Sequence, residues 1–158
     1  METKEFTQFG TFSVIVLLPI LILCIILLFT PLAGEPMSMG TLVFVALTML
    51  VCLVIFYKLT ITIDSESVSF RLGIGLISRK YYISDIQSCK AVRNSFIYGI
   101  GIKKIPGGWL YNVSGLNSIE LTFKNKGSKV RIGTNNADTI SSIVNLMLRK
   151  ENKGRNLD

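Results

Sequence analysis

Residues 6–34 read FTQFGTFSVIVLLPILILCIILLFTPLAG without a charged side chain, and residues 36–57, PMSMGTLVFVALTMLVCLVIFY, follow after the single Glu35. A hydrocarbon core about 30 Å thick requires roughly 20 apolar residues in helical form, so each run is long enough to cross a bilayer once. The short distance between the two runs indicates a hairpin. The sequence therefore predicts a two-helix transmembrane segment with spans at about 12–30 and 41–57.

The distribution of charge predicts which side of the membrane the rest of the chain occupies. The chain has 17 Lys and Arg, 10 Asp and Glu and no His, a net charge of +7. Residues 58–158 hold 16 of the basic and seven of the acidic residues, so this part carries 16 − 7 = +9. The turn predicted at 31–40 holds no Lys or Arg, and basic flanks stay on the cytoplasmic side. We expect both termini to face the cytoplasm.

An alternative interpretation of the first apolar run is a cleaved signal peptide. The run is longer than the usual apolar region of such peptides, and the leader METKEF carries two acidic residues against one Lys. These features favour a permanent anchor. Because neither span contains Asp, Glu, Lys or Arg, which ion and proton pathways usually require, a transporter or channel is disfavoured.

The part of the chain after the second span has the pattern of a β-rich domain closed by one helix. Residues 58–64, KLTITID, alternate with the period of a strand. Further short strands are predicted at 68–72, 80–83, 86–92, 109–113, 119–123 and 129–132. Apolar residues then recur at helical spacing from Ala137 to Leu148, with Asn135 or Asn136 as the expected N-cap. We therefore predict an α+β fold, with a domain at 58–150 and a flexible tail at 151–158.

Four stretches carry a resemblance to a known family: YGIGIKK at 98–104, PGGWLYNVSG at 106–115, IEL at 119–121 and RIGT at 131–134. They resemble the bacterial PH-like (pleckstrin-homology-like) domain membrane proteins of uncharacterised function. The resemblance covers roughly 58–150. It implies an antiparallel β-barrel or sandwich of about seven strands with one C-terminal helix plugging an open end. It also implies a scaffold role more than an activity, and a place in the bacterial inner membrane.

The segment 98–115 is the best candidate for a binding site, because it combines five glycines with three aromatic side chains and lies beside basic residues. Basic side chains near an anionic surface attract phospholipid headgroups. The alternative interpretation is that the glycines form bulges, Trp109 fills the core and the basic residues are simply solvated. The loop at 64–67, DSES, lacks the basic cluster of phosphoinositide-binding PH domains, so specific inositide recognition is not expected. The candidate ligand-binding residues are Arg79, Lys80, Lys103, Lys104, Gly108, Trp109 and Tyr111.

Residues suited to catalysis or metal binding are sparse. The absence of His excludes His-dependent triads and the usual zinc hydrolase sites. Two of the three cysteines lie in the apolar runs, and Cys89 lacks a His to activate it. We expect no catalytic residues, metal or cofactor, and no nucleic-acid partner.

Three hypotheses for the function follow. The preferred one is a membrane-anchored binding or assembly module that contacts a partner protein or the anionic bilayer surface. The alternative is a small accessory subunit of a membrane transport or envelope-stress complex, recognised through its transmembrane helices. The third, an enzyme acting on a lipid through Asp85 or Glu120, is the least favoured of the three.

Overall fold

The computed structural model describes residues 3–30, 38–124 and 127–155. Within these ranges the chain forms three helices and nine strands. In chain order they are β1 Lys4–Phe9, α1 Thr11–Phe29, α2 Met39–Phe56, β2 Lys58–Ile63, β3 Ser67–Leu72, β4 Ile77–Tyr82, β5 Ile86–Arg93, β6 Gly101–Ile105, β7 Gly108–Asn112, β8 Asn117–Phe123, β9 Lys129–Gly133 and α3 Ala137–Arg155. Single 3-10 turns lie at Ile83–Asp85 and Phe96–Tyr98.

The two N-terminal helices, α1 and α2, pack against each other as a hairpin. Both are long and apolar enough to cross a membrane. Their bounds, Thr11–Phe29 and Met39–Phe56, lie within two residues of the predicted spans. Of the turn predicted at 31–40, residues 31–37 lie outside the described part of the chain. The predicted pair of long apolar helices is thus confirmed.

The first sheet has the order β1-β2-β3-β4 and is antiparallel throughout. Strand β1 is not predicted from the sequence. It pairs with β2 from Lys4 opposite Ile63 to Phe9 opposite Lys58. Because β1 leads into α1 and α2 leads into β2, the two helices leave the domain side by side. The strands β1 and β2 therefore lie on the same side of any bilayer that the helices cross.

The second sheet has the order β5-β8-β9-β7-β6. Strand β6, Gly101–Ile105, is again not predicted from the sequence. The pairing of β7 with β9 is parallel, whereas the other pairings of this sheet are antiparallel. The prediction of an entirely antiparallel arrangement is therefore corrected at this point. The physical reason is that β9 folds back from β8 and inserts between β8 and β7, which run in opposite directions.

The core lies between the two sheets and α3. It is formed by the inward-facing aliphatic residues of β2, β3, β8 and β9 together with one face of the helix. The predicted C-terminal helix is confirmed and continues beyond residue 150, to Arg155. Its first carbonyl acceptor is Asn136, which receives the Ile140 N–H at 3.0 Å. The Asn135 side chain instead accepts a hydrogen bond from Gln8 Nε2 at 3.0 Å, which ties β1 to the start of α3.

Candidate functional site

The predicted basic pair Arg79 and Lys80 lies on β4, the last strand in the order of the first sheet. Arg79 stands opposite Phe70 and Lys80 opposite Ser69. Successive side chains of a strand point to opposite faces, so the two charges are presented to different surfaces. The Lys80 ammonium lies 5.4 Å from the centre of the Tyr82 ring. Both basic residues are exposed, but they do not form a joint site for one headgroup.

The second predicted pair, Lys103 and Lys104, is separated in the same way on β6. Lys103 stands opposite Leu110, and Lys104 stands opposite Trp109. Trp109 is 47% exposed, so it does not fill the core as the alternative interpretation supposed. The structure thus brings together one of the predicted lysines and the indole on one face of the sheet.

The two remaining predicted residues, Gly108 and Tyr111, serve the packing of the sheet. A Cβ at Gly108 would overlap the backbone carbonyl of Lys129 on β9, so the close approach of these strands requires glycine. Tyr111 is buried, and its ring centre lies 4.6 Å from that of Phe70 on the opposing sheet. Direct contact of a ligand with Tyr111 would require the two sheets to separate.

A cluster of charged and polar side chains surrounds Glu120, one of the two carboxylates considered for catalysis. Arg131 Nε donates a hydrogen bond to Glu120 at 2.8 Å, and Lys129 Nζ lies 3.4 Å from the other carboxylate oxygen. Arg131 also donates to Asn94 at 3.2 Å, and Asn94 donates to Ser118 at 2.6 Å. Burial raises the pKa of Glu120, but the hydrogen bond and charge of Arg131, with the charge of Lys129, outweigh it and hold the pKa below its ordinary value. The carboxylate is thus a fixed acceptor in a structural network and is poorly suited to donate a proton.

The cysteine of the domain is equally unsuited to nucleophilic chemistry. Cys89 is 1% exposed, and burial raises its pKa to about 12. The reactive form of cysteine is the thiolate, which this environment disfavours. The backbone of Cys89 is held by the Asn145 side chain of α3. Asp85, the other carboxylate considered, ends the 3-10 turn before β5 and is exposed to solvent.

A cleft of about 470 Å³ lies at the end of the domain away from α1 and α2, and we call it the far-end cleft. It lies between the β2–β3 turn, the end of β4 and the second half of α3. The six residues of β2 separate the end of α2 from this turn, a distance of about 20 Å at the rise of an extended strand. The residues that line the far-end cleft are Ser65, Glu66, Tyr82, Ile83, Ser84, Met147, Lys150 and Glu151.

The lining of the far-end cleft combines an apolar floor with a charged rim. Ile83 and Met147 are buried, and the Tyr82 ring stands 51% exposed. Glu66 and Lys150 are exposed and add charges of opposite sign. A concave apolar surface with a few polar groups around it is typical of binding sites. Sequence reasoning missed this site because its residues come from three separate segments and share no local pattern.

Among the residues that the structure describes, no group of three or more His, Cys, Asp or Glu side chains is arranged to hold a metal ion. Comparison of the chain with protein-family models gives no match, and comparison with curated proteins gives none either. The candidate site therefore rests on the geometry of this chain alone, and within the described residues the far-end cleft is a concave surface that fits a binding role.

Proposed function

We propose that the protein is a membrane-anchored binding module without catalytic activity, which holds the far-end cleft in the cytoplasm at a fixed distance from the bilayer. One observation carries this proposal: the domain is joined to both apolar helices without a linker. The Gly10 N–H donates to the Tyr57 carbonyl at 2.8 Å, so the paired strands β1 and β2 continue directly into α1 and α2. A rigid joint of this kind suits a scaffold that positions a partner.

The partner that we favour is a protein whose apolar side chain enters the far-end cleft. The apolar floor accepts such a side chain, and the opposite charges of Glu66 and Lys150 offer polar contacts around it. The cleft lies at the end of the domain away from α1 and α2, so a cytosolic partner reaches it without contacting lipid. This geometry favours a protein partner over an anionic headgroup as the occupant of the cleft.

We also propose that the domain is PH-like. Two packed sheets followed by a C-terminal helix support this assignment. The parallel pairing of β7 with β9 and the N-terminal strand β1 depart from the simple antiparallel plan. We take the bacterial inner membrane as the location, because the excess of Lys and Arg after residue 58 favours a cytoplasmic domain.

The orientation is tested first, with single reporter cysteines at Ser38 and Ser65 in a background that lacks Cys24, Cys52 and Cys89. Ser38 directly precedes α2 at the end of the hairpin away from the domain, and Ser65 lies in the β2–β3 turn. Intact cells are treated with an impermeant thiol reagent. We expect labelling at Ser38 and none at Ser65. Labelling at Ser65 would place the domain outside the cytoplasm and contradict the proposed location.

Occupation of the cleft is tested by photocrosslinking in cells. A photoreactive amino acid replaces Tyr82, and the matched control replaces Ser78, which is exposed on the same strand nearer the helices. We expect one discrete protein adduct from position 82 that is lost on Lys150→Glu and absent from position 78. An adduct formed instead from Phe44, which is 71% exposed on α2, would support the accessory-subunit alternative.

A further inference from the structure

The turn between β3 and β4 lies beside the C-terminal end of α2. Leu72 pairs with Leu59, and the Gly73 N–H donates to the Lys58 carbonyl at 2.8 Å. The pairing of β3 with β2 therefore extends to Lys58, the first residue of β2. The residues that follow Gly73 lie beside the last turn of α2. The glycine also packs against that turn, since a Cβ at Gly73 would lie 2.8 Å from the Ile55 carbonyl oxygen.

This turn is apolar, although it lies at the tip of a hairpin. Its four residues, Gly73 to Leu76, carry no polar side chain. Ile74 is 67% exposed and Leu76 is 65% exposed. Gly73 and Gly75, both at positive φ, form the turn, but the other two positions carry Ile74 and Leu76 instead of the polar side chains that are usual at a hairpin tip in water. Exposed large aliphatic side chains grouped at one place usually mark a surface that contacts something else.

A second apolar turn lies at the same end of the domain. The chain from β5 to β6 passes through the 3-10 turn Phe96–Tyr98, in which Phe96 and Ile97 are 85% and 86% exposed. The two ends of this segment are tied to the end of β7 and the loop that follows it. Asn94 N–H donates to the Leu116 carbonyl of the β7–β8 loop at 2.7 Å, and Nδ2 of Asn112, the last residue of β7, donates to the Gly99 carbonyl at 3.2 Å.

The β7–β8 loop is in turn tied to the base of the helices. Gln8 Nε2 donates to the Ser114 carbonyl at 2.7 Å, and Gln8 lies one residue before Phe9, where β1 ends. Phe9 and Phe12 flank the start of α1 and are 66% and 59% exposed. These exposed rings extend the apolar surface of α1 to its junction with the domain. Both apolar turns thus belong to the end of the domain from which the helices leave.

We infer that Ile74, Leu76, Phe96 and Ile97 insert into the interfacial layer of the same leaflet that α1 and α2 enter, so that the occupant of this surface is lipid. The inference rests on the proposed membrane anchoring. Lipid is favoured over a protein partner because the β3–β4 turn packs against the last turn of α2, and because the Phe96–Tyr98 turn is tied through the β7–β8 loop to the end of β1, where α1 begins. The domain then contacts the bilayer at α1 and α2 and also at the two apolar turns. These contacts fix the tilt of the domain relative to the membrane.

The test uses tryptophan fluorescence in lipid nanodiscs whose acyl chains carry bromine near the headgroup. In a Trp109→Phe background, which removes the native tryptophan, single variants Ile74→Trp and Ile97→Trp report on the two turns. Phe44→Trp reports on α2, and Tyr82→Trp reports on the far-end cleft. Because Ile74, Ile97 and Tyr82 are exposed, these variants are expected to fold, and circular dichroism with thermal unfolding checks this.

We expect emission from Ile74→Trp and Ile97→Trp to be quenched in brominated lipid relative to the same lipid without bromine, while emission from Tyr82→Trp is unchanged. If both turns behave like Tyr82→Trp while Phe44→Trp is quenched by deeper bromine, the inference is overturned and the anchoring stands. If Phe44→Trp is not quenched at any bromine depth, the proposed membrane anchoring itself fails.

Discussion

The Asn145 side chain of helix α3 hydrogen-bonds to the backbone of β5, and its removal should destabilise the domain. The Asn145 amide donates to the Cys89 carbonyl at 2.8 Å and accepts the Cys89 N–H at 3.3 Å. Cys89 is 1% exposed, so water does not readily replace either hydrogen bond. The amide thus takes the position that a further strand would occupy beside β5.

The substitution Asn145→Ala removes both hydrogen bonds at once. A net hydrogen bond contributes about 0.5–1.5 kcal/mol, and a buried group left without a partner costs about 1–3 kcal/mol. The Asn145 side chain is only half-buried, so water reaches part of the vacated space. We expect the free energy of unfolding to fall by about 2–4 kcal/mol, a large fraction of the roughly 5–15 kcal/mol that stabilises a typical domain.

The assay is denaturant unfolding of the full chain in nanodiscs, followed by Trp109 fluorescence and far-ultraviolet circular dichroism. The matched control is Leu146→Ala, because Leu146 is the next residue of the helix and is 56% exposed; we expect a change within about 0.5 kcal/mol. Asn145→Asp keeps the acceptor but sets a carboxylate oxygen against the Cys89 carbonyl, so it should destabilise the domain at least as much as Asn145→Ala. A loss for Asn145→Ala no larger than that for Leu146→Ala would show that the two hydrogen bonds do not stabilise the domain.

Three further predictions concern charge, pH and backbone conformation. Glu120→Gln should destabilise the domain by about 1–3 kcal/mol at neutral pH, because Arg131 loses its charged partner. The pKa of Glu120 is lowered on folding, so its contribution is present above the ordinary carboxyl pKa of 4.5 and is lost as the pH falls through the folded value. Urea unfolding should therefore show the parent and variant converging in acid, and an equal gap at all pH values would contradict this. Burial raises the pKa of Cys89 from 9.0 to about 12 on folding. The free energy of unfolding should therefore fall between these two pH values, by up to about 1.4 kcal/mol per pH unit. In urea unfolding over the same pH range, Cys89→Ala should show a shallower slope. Gly73→Ala and Gly75→Ala both place a side chain at positive φ, but only Gly73 packs against α2. Gly73→Ala should therefore lower the thermal midpoint more than Gly75→Ala, and equal shifts would show that the contact of Gly73 with α2 does not contribute to stability.

The elements that the sequence predicts well are those whose signal is local. The spans at 12–30 and 41–57 follow from uninterrupted apolar runs, and α1 and α2 match them closely. The alternation of KLTITID likewise gives β2, since a half-buried strand needs that period. The helical spacing from Ala137 onward gives α3 for the same reason.

The elements that escape prediction depend on contacts between distant residues. Strand β1 begins with Lys4 and Glu5 and runs directly into an apolar helix, so the segment has the composition of a leader; its partner β2 lies beyond both helices. The different exposure of Trp109 and Tyr111 also depends on contacts between distant residues. Two residues apart on β7, they share a face, but Tyr111 meets Phe70 of the other sheet while Trp109 stays half-exposed. Only the assembled sandwich decides which of two such side chains is covered.

The connection between the domain and the helices α1 and α2 must accommodate two different distances, that between paired strands and that between packed helices. Neighbouring strands lie about 4.8 Å apart, whereas packed helices have axes about 8–10 Å apart. The chain must therefore diverge abruptly between β1–β2 and α1–α2, and at the point of divergence the two backbones approach too closely for a side chain to lie between them. Gly10 occupies that point: a Cβ there would overlap the Phe56 carbonyl and lie 3.3 Å from the Tyr57 carbonyl carbon. The missing side chain lets the Gly10 N–H reach the Tyr57 carbonyl, which extends the strand pairing up to the helices. Because backbone hydrogen bonds continue up to the start of α1 and the end of α2, no flexible linker separates the domain from these two helices. The length of the paired strands β1 and β2 therefore determines the distance between these helices and the far-end cleft.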